Sequence, residues 1–157
     1  MDKLDYHSID WEKLSTNHGT AARVPRALEG LTSEDPEERR RSYFGLDNVV
    51  VLQSDLSEAA CAVVPFLIEM LRRRPTYGRD LIYDLLFEIA NGYAPDDYLW
   101  NTADGRKILL RVACLEEVKK GVEVFGRDLA DPDESVRSQA SELLELIQYK
   151  QEEGGAG

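Results

Sequence analysis

The chain has 157 residues, 43% of them hydrophobic, which is enough for one core and too many for wholesale disorder. Thirty acidic residues against nineteen basic ones leave a net charge of −11, a surface that repels nucleic acid and attracts basic partners. No apolar run approaches the length of a membrane span, Met1-Asp2-Lys3-Leu4-Asp5-Tyr6 lacks the pattern of a secretory leader, and Cys61 and Cys114 form no Cys-x-x-Cys pair. The expectation is a cytoplasmic protein with buried free thiols: one domain over residues 1–150 and a flexible tail over 151–157.

In chain order, Ile9, Trp11 and Leu14 predict a short N-terminal helix that covers the end of a helical stack. Residues 20–31 carry Ala21, Val24, Leu28 and Leu31 at helical spacing, with Pro25 early, where a proline costs least. Thr32-Ser33-Glu34-Asp35-Pro36 reads as a turn with a capping residue and a proline at the next helix start. A second helix spans about 37–51, with Ser42, Leu46, Val49 and Val50 facing inward. Residues 53–57 break the pattern and offer Ser57 as a cap for the next helix. That helix covers about 58–73, with Ala62, Val63, Phe66, Leu67 and Leu71 apolar. After a turn over 74–78, Ile82, Leu85, Leu86 and Ile89 mark a fourth helix over about 79–91. Residues 92–105 hold Gly, Pro and Asp at both ends and predict a long connection bearing Tyr93, Tyr98 and Trp100. Helical patterning resumes at Lys107 and runs to Leu129, with Gly121 dividing it. A last helix comes after Asp131-Pro132-Asp133 and ends near Tyr149.

The pattern repeats. Ala22, Val24, Pro25, Leu28, Glu29 and Leu31 match Ala62, Val64, Pro65, Ile68, Glu69 and Leu71 at an offset of 40 residues, and the offset also carries Arg39 onto Arg79 and Leu46 onto Leu86. That period is one helical hairpin of a solenoid. The third copy holds Asp133, Val136, Arg137, Ala140 and Leu144 after an Asp-Pro-Asp turn, and this stretch resembles the HEAT-repeat signature. Weaker copies lie in Asp35, Arg39, Ser42 and Leu46, and in Arg79, Ile82 and Leu86. Arg79 to Arg137 is 58 residues, one repeat plus an insertion of 18 that coincides with the aromatic connection. Over residues 20–148 the chain is similar to small bacterial HEAT-repeat proteins. The resemblance implies an all-α, right-handed α-solenoid of about three hairpins, with an N-terminal cap and a long loop before the third. Related small HEAT proteins are linked to toxin immunity and protein binding.

Candidate sites divide into scaffold and surface. Asp35 with Arg39, and Asp133 with Arg137, sit at turn-plus-helix spacing and predict a structural ladder rather than an anion site. His7 and His18, the only histidines, have no ligand-spaced companions for a metal and no oriented partner for base catalysis. No Gly-rich phosphate loop, G-x-S-x-G elbow or H-E-x-x-H motif occurs. The second helices of HEAT hairpins line a concave face. With Ala140, Leu143, Leu144 and Ile147 inward, the outer stripe is Ser138, Glu142 and Glu145. Moved back by the repeat offsets it becomes Asp80, Asp84 and Phe87, then Arg40, Phe44 and Asp47. That predicts an acidic wall with Phe44 and Phe87 at its centre. Tyr98 and Trp100, beside Asp96 and Asp97, either clasp a partner or plug the gap that the insertion opens.

These readings converge on a non-enzymatic protein-binding module without cofactor or metal. Most specifically they predict an immunity protein that neutralises a basic toxin domain through its acidic concave face. The residues expected to bind the partner are Phe44, Asp47, Asp80, Asp84, Phe87, Glu88, Tyr98, Trp100, Glu142 and Glu145. The alternatives are a HEAT-like enzyme, of the DNA-glycosylase or bilin-lyase kind, and a scaffold subunit. A glycosylase needs a basic groove, which the net charge opposes.

Overall fold

The helix Glu58–Arg72 buries nine of its fifteen residues, far more than one apolar stripe supplies, so it lies in the middle of the molecule. The structure is a computed structural model that describes residues 5–16, 19–52, 55–95, 98–101 and 104–155. Among the described residues are seven α-helices: α1 Val24–Gly30, α2 Pro36–Val50, α3 Glu58–Arg72, α4 Arg79–Ala90, α5 Leu110–Lys119, α6 Val122–Asp128 and α7 Glu134–Gly155. Three short antiparallel pairs accompany them: β1 Ser15–Thr16 with β2 Gly19–Thr20 before α1, β3 Val51–Leu52 with β4 Asp55–Leu56 between α2 and α3, and β5 Leu99–Asn101 with β6 Lys107–Leu109 between α4 and α5. The central α3 packs against α2, α4, α5 and α6. On another side α1 packs on α2, α6 on α7, and α4 touches both α2 and α7. The chain is thus mostly helical, as the sequence predicts, and no described helix is long and apolar enough to cross a membrane.

The turns before α2 and α7 are built alike. Asp35 accepts the amide of Glu37 at 3.0 Å and Asp133 accepts that of Ser135 at 2.9 Å, so each aspartate caps its helix. Arg39 donates to the Ser33 and Glu34 carbonyls at 2.6 and 3.0 Å, and Arg137 to those of Asp131 and Pro132 at 2.7 and 3.0 Å. The middle turn lacks the aspartate and starts α4 from Gly78 at φ 87°. A Cβ there would stand 2.0 Å from the Leu31 carbonyl oxygen, so only glycine lets the second turn close on the first. Arg79 reaches forward to Asp131 with two bonds of 2.7 and 2.9 Å, and Arg39 lies over the Tyr77 ring at 4.9 Å. Each of these two arginines therefore ties its own helix to the next turn.

Five local expectations need correction. The N-terminal segment forms two 3-10 turns, Tyr6–Ser8 and Trp11–Lys13, rather than a helix. So short a helix is marginal by itself, and ring packing decides instead: Tyr6 and Trp11 are buried against Phe66 at 5.3 and 5.9 Å. The first helix begins at Val24 instead of residue 20. Residues 99–101 and 107–109 pair as strands, which delays the next helix to Leu110. Trp100 and Ile108 stand opposite one another there, both half-buried, and a short apolar run has no period that separates strand from helix. The Ser57 hydroxyl does not cap α3; it donates to the Val49 carbonyl at 3.0 Å, closing the end of α2. Finally, α7 continues to Gly155 rather than ending near Tyr149. The division of the helical run at Gly121 is as read, since a Cβ there would meet Ile68 and Phe125 at under 3 Å.

Candidate functional site

Buried stripes leave α2, α4 and α7 with one open face each. Leu46 and Val50 of α2, Ile82, Leu85, Leu86 and Ile89 of α4, and Ala140, Leu143 and Ile147 of α7 all point into the core. The residues between them gather at the seams. At the α2–α4 seam the Tyr43 hydroxyl donates to the Asp84 carboxylate. Burial first, and then this bond, raise the Tyr43 pKa, so the phenol stays a donor. Beside it the carboxyl groups of Asp47 and Glu88 face each other across the seam. Glu88 is raised to about 8, by burial foremost and then by the bond and charge of Asp47 and the charge of Asp84. Among the described residues, one Glu88 oxygen is buried with no hydrogen-bond partner. With its pKa at about 8, Glu88 is mostly protonated in neutral solution, so the cluster carries less charge than its count of carboxyls.

Phe44 lies next to this cluster, 48% exposed. Its ring meets Tyr43 edge-on at 5.4 Å and carries the Arg40 guanidinium at 5.9 Å. Across α4, the Gln139 amide donates to the Asp80 carbonyl at 3.0 Å, and Glu142 and Glu145 stand exposed on α7. The structure thus brings Phe44, Asp47, Asp84 and Glu88 together, while Asp80 borders both the Phe44 groove and the α4–α7 groove. Phe87 is half-buried and packs against the core, so Phe44 is the exposed ring of the pair. Tyr98 and Trp100 are also half-buried against the core. Trp100 borders a separate opening of about 240 Å³ with Cys61, Arg106, Glu117 and Lys120. His18, Asp96 and Asp97 lie outside the described residues, as does the side chain of His7.

Sequence reasoning passed over two tyrosines and one polar network, and it expected the buried free thiols without their mutual contact. Tyr43 and Tyr77 line the groove between α2 and α4 beside Phe44, and neither lies on the stripe carried over by the repeat offsets. Asp128, 1% exposed, accepts the Tyr83 hydroxyl at 2.5 Å and pairs with Arg127 at 3.0 Å. Arg127 in turn donates to the Leu71 and Arg72 carbonyls at 2.9 and 3.1 Å. This network ties α6 to α3 and α4, and no local pattern announces it. Cys61 and Cys114 are buried and free, and they face each other: the bond from Cys61, then burial, holds the Cys114 thiol well above its ordinary pKa. Such a thiol is a poor nucleophile. Compared with known protein families, curated proteins and solved structures, the chain matches none of them.

Proposed function

We propose that the protein is a non-enzymatic binding module whose helix pairs stack as a HEAT-like solenoid, and whose α2–α4–α7 face takes a basic protein partner. The stacking is supported by the packing of α1 on α2 and α6 on α7, and by the forward reach of Arg39 and Arg79 to successive turns. The observation that carries the binding reading is the juxtaposition of Asp47, Asp84 and Glu88 with the exposed ring of Phe44 on one seam. An aromatic anchor that loses its water on binding, rimmed by charge, is the usual composition of a binding hot spot. Immunity against a basic toxin domain is the specific form of this reading, in which the carboxylates steer a cationic partner and cover its working surface.

A pull-down from native lysate tests it, with the wild-type chain and a Glu142→Lys/Glu145→Lys variant as baits at low and high salt. A basic partner captured stoichiometrically by the wild type, released by salt and lost from the variant, is the expected result. Equal capture by both baits, or no partner at either salt, sinks the proposal.

A further inference from the structure

The groove between the N-terminal halves of α2 and α4 differs in sign from the rest of the face. It measures about 570 Å³, and its lining includes Arg39, Arg40, Phe44, Tyr77, Asp80 and Leu81. Two arginines against one aspartate give its lining a formal surplus of positive charge in a chain of net charge −11. Among the described residues, the adjoining groove between α4 and α7 has Asp80 and Glu134 as its charged lining. Phe44 and Tyr77 give the positive groove an apolar floor that is 48% and 39% exposed. Arg39 is engaged by its turn carbonyls and by Tyr77, whereas Arg40 is exposed and lies over the Phe44 ring. Further along the same seam come Asp47, Asp84 and Glu88. Arg40 and Asp47 are two helical turns apart, about 10 Å along α2. The seam therefore runs from cation, through aromatic, to carboxylates.

We propose that this seam docks an amphipathic helix of the partner whose residues carry the opposite sequence of charges. A Glu or Asp meets Arg40, an apolar anchor lies over Phe44 and Tyr77, and a Lys or Arg meets Asp47 and Asp84. The proposal rests on the protein-binding reading above and adds to it that the contacting segment is of mixed charge. The argument is complementarity: a uniformly basic helix brings like charges together at Arg40, which costs it affinity there. The spacing also fits a helix, because an anchor one turn from each charge reproduces the i, i+4, i+7 face by which helices seat in grooves.

Titration of the full ¹⁵N-labelled chain with three designed helical peptides tests this. They carry Glu-Leu-Lys, Lys-Leu-Lys or Glu-Ala-Lys on that face and are otherwise identical. The Glu-Leu-Lys peptide is expected to bind about tenfold more tightly than either of the others and to shift the amides of Arg40, Phe44 and Tyr77. In the Arg40→Glu chain the preference should reverse toward Lys-Leu-Lys; Arg40 is exposed, so this variant keeps the fold. Equal or tighter binding of Lys-Leu-Lys to the wild type overturns the mixed-charge assignment and leaves the basic-partner reading standing. No shift at the seam with any peptide overturns the docking site itself. Failure of the basic-partner reading shows separately, in the pull-down with the Glu142→Lys/Glu145→Lys bait.

Discussion

The ionisation of Glu88 is bound to the fold. Its folded pKa of about 8 lies above the ordinary carboxylate value, so the folded state holds a proton that the unfolded state releases. The contribution is full below the unfolded value and is lost as pH rises to about 8. Glu88→Gln keeps a neutral group against Asp47 and removes the titration. Urea midpoints should therefore fall from about pH 5 to about pH 8 in the wild type more steeply than in the variant; parallel slopes would sink the account of a protonated Glu88. Asp131 works with the opposite sign. The two bonds from Arg79, then the amide of Asp133, lower it to about 2. Its stabilisation is present above the unfolded value and disappears as pH falls toward about 2. Arg79→Ala should cost about 2 kcal/mol at neutral pH and lose most of that difference in strong acid. A constant difference across the acid range would show that Arg79 acts by packing alone.

At the scale of elements, the turn at Gly78 joins the first two helix pairs. Positive φ and a Leu31 carbonyl in the place of any Cβ act together there. Gly78→Ala should destabilise by about 2 kcal/mol or more, whereas Gly105→Ala, also at positive φ but with open space around it, should cost about 1 kcal/mol. Thermal melts of both variants check this, and equal losses would place the whole effect in the backbone angle. The helices themselves are legible in the sequence. The α4 stripe shows 3.6-residue spacing, Asp35-Pro36 and Asp133 announce helix starts, and Gly121 announces a break. What escaped was set by distant partners. The N-terminal segment turns as Phe66 dictates, Ser57 serves the helix behind it, and Leu99–Asn101 becomes a strand because Lys107–Leu109 returns alongside.

For the molecule as a whole, cohesion between layers runs through Asp128. Its carboxylate holds the Tyr83 hydroxyl and Arg127, and Arg127 closes the last carbonyls of α3. Asp128→Ala leaves a buried hydroxyl and a guanidinium without their acceptor and should cost about 3 kcal/mol or more. Asp128→Asn keeps an acceptor for Tyr83 and should cost less; if the two variants melt together, the network is not what joins the layers. The sequence by itself determined the helical class, the order and approximate limits of the helices, the 40-residue echo and the acidic balance. All of these are local or additive properties, readable from spacing and composition. The tertiary structure alone decided which polar side chains meet. It set Tyr43 on Asp84, Asp47 against Glu88 and Tyr83 on Asp128, turned Phe87 and Trp100 toward the core, and left Phe44 and Tyr77 open beside Arg40. Those pairings join residues about 40 positions apart on different helices, and only the packing angle between helices determines which side chains face one another.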